Sequence, residues 1–481
     1  MSNVPISFSV TLVVFLLMLA VVGWVTGHKN KNANDYLVAS RSLPLWVAVL
    51  TMTATMFGGG MLVARATWGY RAGAVFFIFG VGSAVSRVLL AWLLPKFSNF
   101  AKYTTITEFL DDRYHSRLIQ SVCALISLIS CIAYTAVQVT SLVAILTAMG
   151  FENPRMIAFV CMVIIIALTV FGGMLAVSAT DAMQMIIIII GIGALTVAVL
   201  TRNGGYGNIV QMLTTHASEL PEHYLEPLHI SNINLITWMV LPSIMNSLIE
   251  QAGYQRLFAC KDLRDARRAS VITGVLMCIL SAAPVVFGMV GRLHFPNMEN
   301  PNSVLAMIIQ EYLPGIGGAV MLCAVLAAIL STGDSFLSSA SSHFIADFWC
   351  VYIDKDADLS SKRMLTVSRL FTLGAGIVAL ILSFGLTDVL GPIIDAMILY
   401  TAGAFVPIVL GVLWKGTNRM GATAGMFAGL AMCIFGMVTD FKFGPVPAEM
   451  TSVFVSLVVT VIVSLATAKK NPPVLDANTA A

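Results

Sequence analysis

Charge is what this chain has least of. Only 11% of its 481 residues are Asp, Glu, Lys or Arg, against 58% hydrophobic side chains, a balance far outside that of soluble domains. So few charges cannot cover a water-exposed surface of this size. The composition therefore excludes a soluble enzyme or binding module and points to an integral membrane protein. The formal net charge of +3 is small, and the basic residues are divided among separate connections, which excludes nucleic acid as a partner. The eight cysteines form no CxxC pair; they fall in apolar spans or, for Cys260 and Cys350, in basic loops, so neither a metal centre nor a secreted disulfide framework is expected. A positively charged n-region before the first apolar run, Ile6 to Val25, is missing too, as is a small-residue cleavage pattern after it. That run reads as a retained span.

What is present is a series of apolar segments. A crossing helix needs about 20 mainly apolar residues, and thirteen segments meet that length: 6–27, 44–67, 73–94, 119–149, 156–174, 178–201, 233–252, 269–292, 316–348, 364–388, 391–414, 420–440 and 450–468. Lys and Arg gather in alternate connections: His28 to Arg41, Lys96 to Arg117, Arg256 to Arg268, Lys355 to Arg363, Lys415 to Arg419, and the tail from Lys469. The positive-inside rule puts these in the cytoplasm, with the N-terminus outside and the C-terminus inside. A bacterial-type inner membrane is the expected location.

Two segments are interrupted. The second contains "TMFGGGM", whose three glycines each cost roughly 1 kcal/mol against Ala in a helix interior; the seventh contains "LPSIMNSLIEQAG", where Pro242 removes a backbone donor. Unwound backbone at membrane depth persists only where protein buries it or it lines a cavity. The two interruptions lie five segments apart, an odd number that inverts topology, and paired breaks in inverted repeats mark the binding site of a secondary transporter. The expected organisation is an extra N-terminal helix (6–27), a first inverted repeat (44–201), a second (233–414), two C-terminal helices (420–468) and a cytoplasmic tail (469–481).

Polar residues inside the apolar runs are expensive and few. In "AAILSTGDS" of the ninth segment, Ala328, Ser331, Thr332 and Ser335 recur at i, i+3, i+4 and i+7, one stripe of a helix, flanked by Asp334. Hydroxyls and freed carbonyls are the oxygen ligands that a small hard cation such as sodium prefers. The hydroxyls alone also fit back-bonding to their own i−4 carbonyls; an intramembrane aspartate is functional by default. Asp181, opening the sixth segment beside Thr180 and Gln184, can complete a carboxylate and hydroxyl cage with Asp334 and Ser335, for a second cation or for a proton. Arg65, Glu250 and Asp395 can frame a pocket for a charged or zwitterionic solute, or pair with one another as structural bridges; Arg87 is expected to brace the bundle.

At this point the chain resembles the sodium:solute symporter family. The resemblance rests on "NDYLVASRSLPLWV", "TTITEFLDDRY", "FGGMLAVSATDAMQ", "YQRLFACKDLRDARR", "AAILSTGDS" and "GVLWKGTNRMGA", six motifs in order over nearly the whole chain. It implies an all-α membrane protein with a leucine-transporter-type five-plus-five inverted-repeat bundle, one extra N-terminal helix and alternating access. It further implies a sodium position made by backbone oxygens of Ala54, Phe57 and Ala328 and the hydroxyls of Ser331 and Thr332. A second site in some members corresponds to Asp181, Ser331, Asp334 and Ser335, although those members carry a hydroxyl residue where Asp334 stands. Alignment to the sugar-carrying member sets Phe79, Gly80, Gln138, Glu250 and the adjacent Gln251 in the solute region, and Glu250 in place of an asparagine leans toward an amine- or amide-bearing solute.

The expected activity is sodium-coupled symport of a small organic solute. Sodium, the solute and the lipid bilayer are the expected partners, and a monomer is compatible with them. Proton coupling and a sensor acting through a separate signalling protein are the alternatives; the residues after Lys470 are too few for a kinase domain. A membrane enzyme built on an Asp181 and Asp334 dyad lacks any accompanying nucleophile or metal ligands, and a continuous channel fits paired broken helices poorly.

Overall fold

The computed structural model describes residues 6–97, 100, 102–229, 240–385, 390–439, 441, 446 and 448–474. Among them every regular element is helical, with no β-strand, and Leu43 and Cys260 form an isolated bridge. Ten helical runs are long and apolar enough to cross a membrane by length and composition. The expected thirteen segments map onto fewer runs because of how they join. Residues of the second and third segments share the run Gly59–Lys96, the fifth and sixth form the single run Pro154–Arg202, and the seventh yields only short pieces. Residues 233–239 of that seventh segment lie outside the described residues.

Pro154–Arg202 has 49 residues, about 73 Å at 1.5 Å per residue, more than twice the hydrocarbon thickness. It folds at Gly173, whose φ of 50° is left-handed and whose missing Cβ leaves room for Tyr36. The Tyr36 hydroxyl donates to the Thr169 carbonyl at 3.0 Å and to Thr372 Oγ1 at 2.9 Å, and Asn30 Nδ2 donates to the Gly172 carbonyl at 2.5 Å. The short helix Ala33–Val38 thus clamps the bend.

Ile316–His343 is the central helix. It packs on Pro154–Arg202 and Arg117–Ala148, and within its apolar window 83% of residues are buried, against 28% for both Phe8–Gly27 and Met450–Thr467 at the periphery. That burial explains how the helix carries so many hydroxyls: protein, not lipid, surrounds them.

Both interruptions are present, but each has a different cause from the one its sequence suggests. The first lies between Leu45–Met56 and Gly59–Ala72, where Phe57 and Gly58 leave helical geometry with ψ of 45° and 158°. No left-handed backbone requires glycine there. The requirement is close approach: a Cβ on Gly58 would strike Thr332 Oγ1 and one on Gly59 would strike Ile329. The second break falls at Leu248 to Glu250, between Leu241–Ser247 and Gln251–Phe258, with Glu250 extended. Pro242 lies within Leu241–Ser247, ahead of the break and not at it.

Candidate functional site

The first break opposes the hydroxyl stripe. Ser331 Oγ lies 3.2 Å from the Ala54 carbonyl and 3.3 Å from that of Ala328. Thr332 Oγ1 lies 3.0 Å from the Ala328 carbonyl and 3.1 Å from that of Thr55. Three carbonyl and two hydroxyl oxygens, all from buried residues, converge where two helices meet. This neutral, oxygen-only donor set suits a hard monovalent cation. Ala54, Ala328, Ser331 and Thr332 come together as read from the sequence; the Thr55 carbonyl is an addition. Phe57 ends the Leu45–Met56 helix beside them, its own N–H bonded to the Thr53 carbonyl at 2.8 Å.

The Asp181 cluster holds a cation of its own. Arg256 was expected at the start of a cytoplasmic basic connection, yet it lies in Gln251–Phe258 and is fully buried. Its Nη2 donates to Asp181 Oδ2 at 3.0 Å and to Ser335 Oγ, its Nε to Thr51 Oγ1 at 3.0 Å, and its Nη1 to the Ala252 carbonyl at 2.9 Å. Thr51 Oγ1 in turn donates to Asp181 Oδ2 at 2.5 Å. Asp334 Oδ1 accepts from Ser335 Oγ at 3.3 Å. Asp181, Asp334 and Ser335 do meet, but Asp181 and Ser335 are held by a guanidinium and Asp334 joins them through Ser335.

A cavity of about 290 Å³ adjoins the first break. Arg65, Phe79, Gln138 and Glu250 line it, as do Thr55 and Thr332, so two residues are shared by the oxygen cage and the cavity. Three expected pocket residues lie elsewhere. Gly80 faces Cys278 and Ser281 of Leu263–His294, because one residue of helix turns about 100° away from the face of Phe79. Gln251 is committed to the 104–108 segment, accepting from the Ile106 N–H and donating to the Thr104 carbonyl, each at 3.0 Å. Asp395 is exposed and outside the cavity lining. Arg87 is buried, lines the same cavity and lies 3.9 Å from Glu250.

A second buried network was invisible in the sequence. Asp347 accepts from Thr105 Oγ1 at 3.1 Å, Thr107 Oγ1 at 2.8 Å and Gln120 Nε2 at 2.8 Å, and faces His343 Nδ1 at 2.8 Å. The "TITEF" motif is thereby pinned between the far end of the central helix and Gln251. Its signal was the i, i+4 spacing of His343 and Asp347 at the end of an apolar run, which resembles an ordinary helix terminus.

Glu108 of that motif accepts from the backbone N–H of Thr104 at 2.5 Å and of Thr105 at 2.9 Å. Burial first, then Asp347, pushes its carboxyl up to about 7 despite those bonds. A carboxyl raised in the fold favours the folded state below its unfolded pKa, and that contribution is lost as pH rises through about 7. Thermal stability in detergent is therefore expected to fall between pH 5 and 8, and Glu108→Gln to flatten the profile. An unchanged slope in the variant would refute the assignment.

A family model described as sodium:solute symporter family matches residues 36–429. The osmoregulated proline transporter OpuE of Bacillus subtilis (strain 168) is 25% identical over 475 residues, covering 96% of this chain and 95% of that protein. The sodium/glucose cotransporter of Vibrio parahaemolyticus is 24% identical over 480 residues, covering 90% and 86%. Among solved structures, a substrate-bound, outward-open Na⁺-coupled sialic acid symporter aligns with a TM-score of 0.84 at 17% identity, over 97% of this chain and 98% of that one. MhsT in complex with L-phenylalanine aligns at 0.54 with 14% identity, over 88% and 99%. At such identities the structural likeness speaks for the fold, which is of the leucine-transporter type. With the family model spanning most of the sequence and the two breaks, the oxygen cage and the cavity in one place, the chain belongs to the sodium:solute symporter family.

Proposed function

We propose that this sodium-coupled solute symporter binds sodium at the first break, through the backbone oxygens of Ala54, Phe57 and Ala328 and the hydroxyls of Ser331 and Thr332, and its solute in the adjoining cavity against Arg65, Phe79, Gln138 and Glu250. The repeats 44–201 and 233–414 rock about these sites to give alternating access, in an inner membrane, as a monomer with its N-terminus outside. One observation carries the reading: Thr332 belongs to both the oxygen cage and the cavity wall. An ion that draws the two helices together there also sets the shape of the solute site, and linkage requires the solute to tighten sodium by the same factor.

The test is thermal stabilisation of the purified protein, then uptake into proteoliposomes, with sodium replaced by potassium. Sodium alone is expected to raise the melting temperature and potassium to leave it unchanged; equal behaviour with the two ions would sink sodium coupling. Proton coupling is the second reading, favoured because Asp334 is joined through Ser335 to an Asp181 that already has Arg256 as its ion partner, leaving Asp334 without a cation of its own among the described residues. Uptake driven by a pH gradient without sodium would select it.

A further inference from the structure

Arg65 is only 1% exposed, and its Nε, Nη1 and Nη2 have no hydrogen-bond partner among the described residues. It lines the cavity with its guanidinium carbon 4.9 Å above the Phe57 ring and 5.9 Å from that of Phe79. Aromatic faces hold the cation in place but offer no acceptor for its five donors. A buried charge left this way is a standing cost, and inside a membrane bundle it marks a functional site whose partner must be named.

We infer that the partner is the carboxylate of the solute. The inference rests on the symport reading above and supplies its substrate class. Among the described residues, the charged ones lining the cavity are Arg65, Arg87 and Glu250. Arg87 stands 3.9 Å from Glu250, so the acid that suggested an amine-bearing solute already faces a cation. Among the described residues Arg65 is the uncompensated charge, and its planar fork matches the two oxygens of a carboxylate and balances its single charge. Trp68 and Phe76, stacked at 5.6 Å, and Phe79, stacked on Phe76 at 5.3 Å, line the cavity beside it. The solute is therefore a monocarboxylate with an apolar or aromatic body, its charge on Arg65 and its body against these rings.

The experiment is a thermal-shift screen at saturating sodium using matched probes: benzoate, benzamide and benzylamine, and butyrate, butyramide and butylamine. Stabilisation is expected from a carboxylate and from neither its amide nor its amine. Arg65→Gln removes a buried unpaired charge and leaves a polar side chain of similar reach, so it is expected to fold at least as stably as the parent. Carboxylate affinity should fall on the order of 100-fold in it, with partial recovery in Arg65→Lys. Stabilisation by amides or amines, no response to either carboxylate, or carboxylate affinity unchanged in Arg65→Gln would each overturn the inference. A slower uptake with unaltered affinity in that variant would overturn it as well, and make Arg65 a gating residue. Sodium-induced stabilisation without any probe separates the outcomes: if it persists while carboxylates fail, the symport reading stands and only the substrate class falls.

Discussion

Arg256→Gln is expected to cost about 3–5 kcal/mol of stability, the penalty for breaking a buried ion pair and stranding its partner. The guanidinium meets Asp181 Oδ2 at 3.0 Å, Thr51 Oγ1 at 3.0 Å and the Ala252 carbonyl at 2.9 Å, and Asp181 and Arg256 are both fully buried. Glutamine can replace one of those bonds and none of the charge. The double variant Arg256→Gln with Asp181→Asn removes both charges, and replacing a buried pair with neutral groups is often close to neutral. It should recover more than half of the loss, a coupling readable by a double-mutant cycle on thermal or chemical unfolding in detergent. A single variant within about 1 kcal/mol of the parent, or a double variant no more stable than the single, would show that the pair does not hold these helices together.

The same residue shows where sequence reading stops. Ser331 and Thr332 were legible because a stripe of hydroxyls in an apolar run has few physical justifications, and because glycine-rich backbone seven segments earlier supplied a complementary surface. Arg256 was not. A loop assignment based on charge counts Lys and Arg near a span end, and cannot tell that the break at Leu248 to Glu250 carries the next two turns back into the protein. Gly80 failed for a different reason: an ungapped alignment fixes position along a helix but not which face a neighbouring residue presents. For Asp395, being in an apolar run implied burial, yet the residue is exposed. The membrane-bundle class followed from lengths, breaks and composition, and its leucine-transporter type from the family resemblance, all of which tolerate errors of several residues; the site depends on rotations of single residues, which do not.

Thr332→Val should shift sodium activation by at least about 10-fold, because it deletes one ligand from a small cage while keeping the branched shape. Thr332 Oγ1 spans the Ala328 and Thr55 carbonyls at 3.0 and 3.1 Å, joining the central helix to the opened backbone before Gly58. The residue also lines the cavity, so its loss should weaken the coupling between ion and solute as well as the ion site itself. Ser331→Ala provides the contrast. Its hydroxyl contacts the Ala54 and Ala328 carbonyls at 3.2 and 3.3 Å, and Ser331 is absent from the cavity lining. Sodium affinity should fall in both variants, whereas at saturating sodium the solute affinity should return to the parent value in Ser331→Ala and stay reduced in Thr332→Val. Solute titrations across a sodium series, read by thermal shift, give both quantities from one protein preparation. If the two variants lose sodium and solute affinity in the same proportion, Thr332 is a ligand like its neighbour and coupling runs through another part of the bundle; if neither alters sodium activation, the ion binds elsewhere.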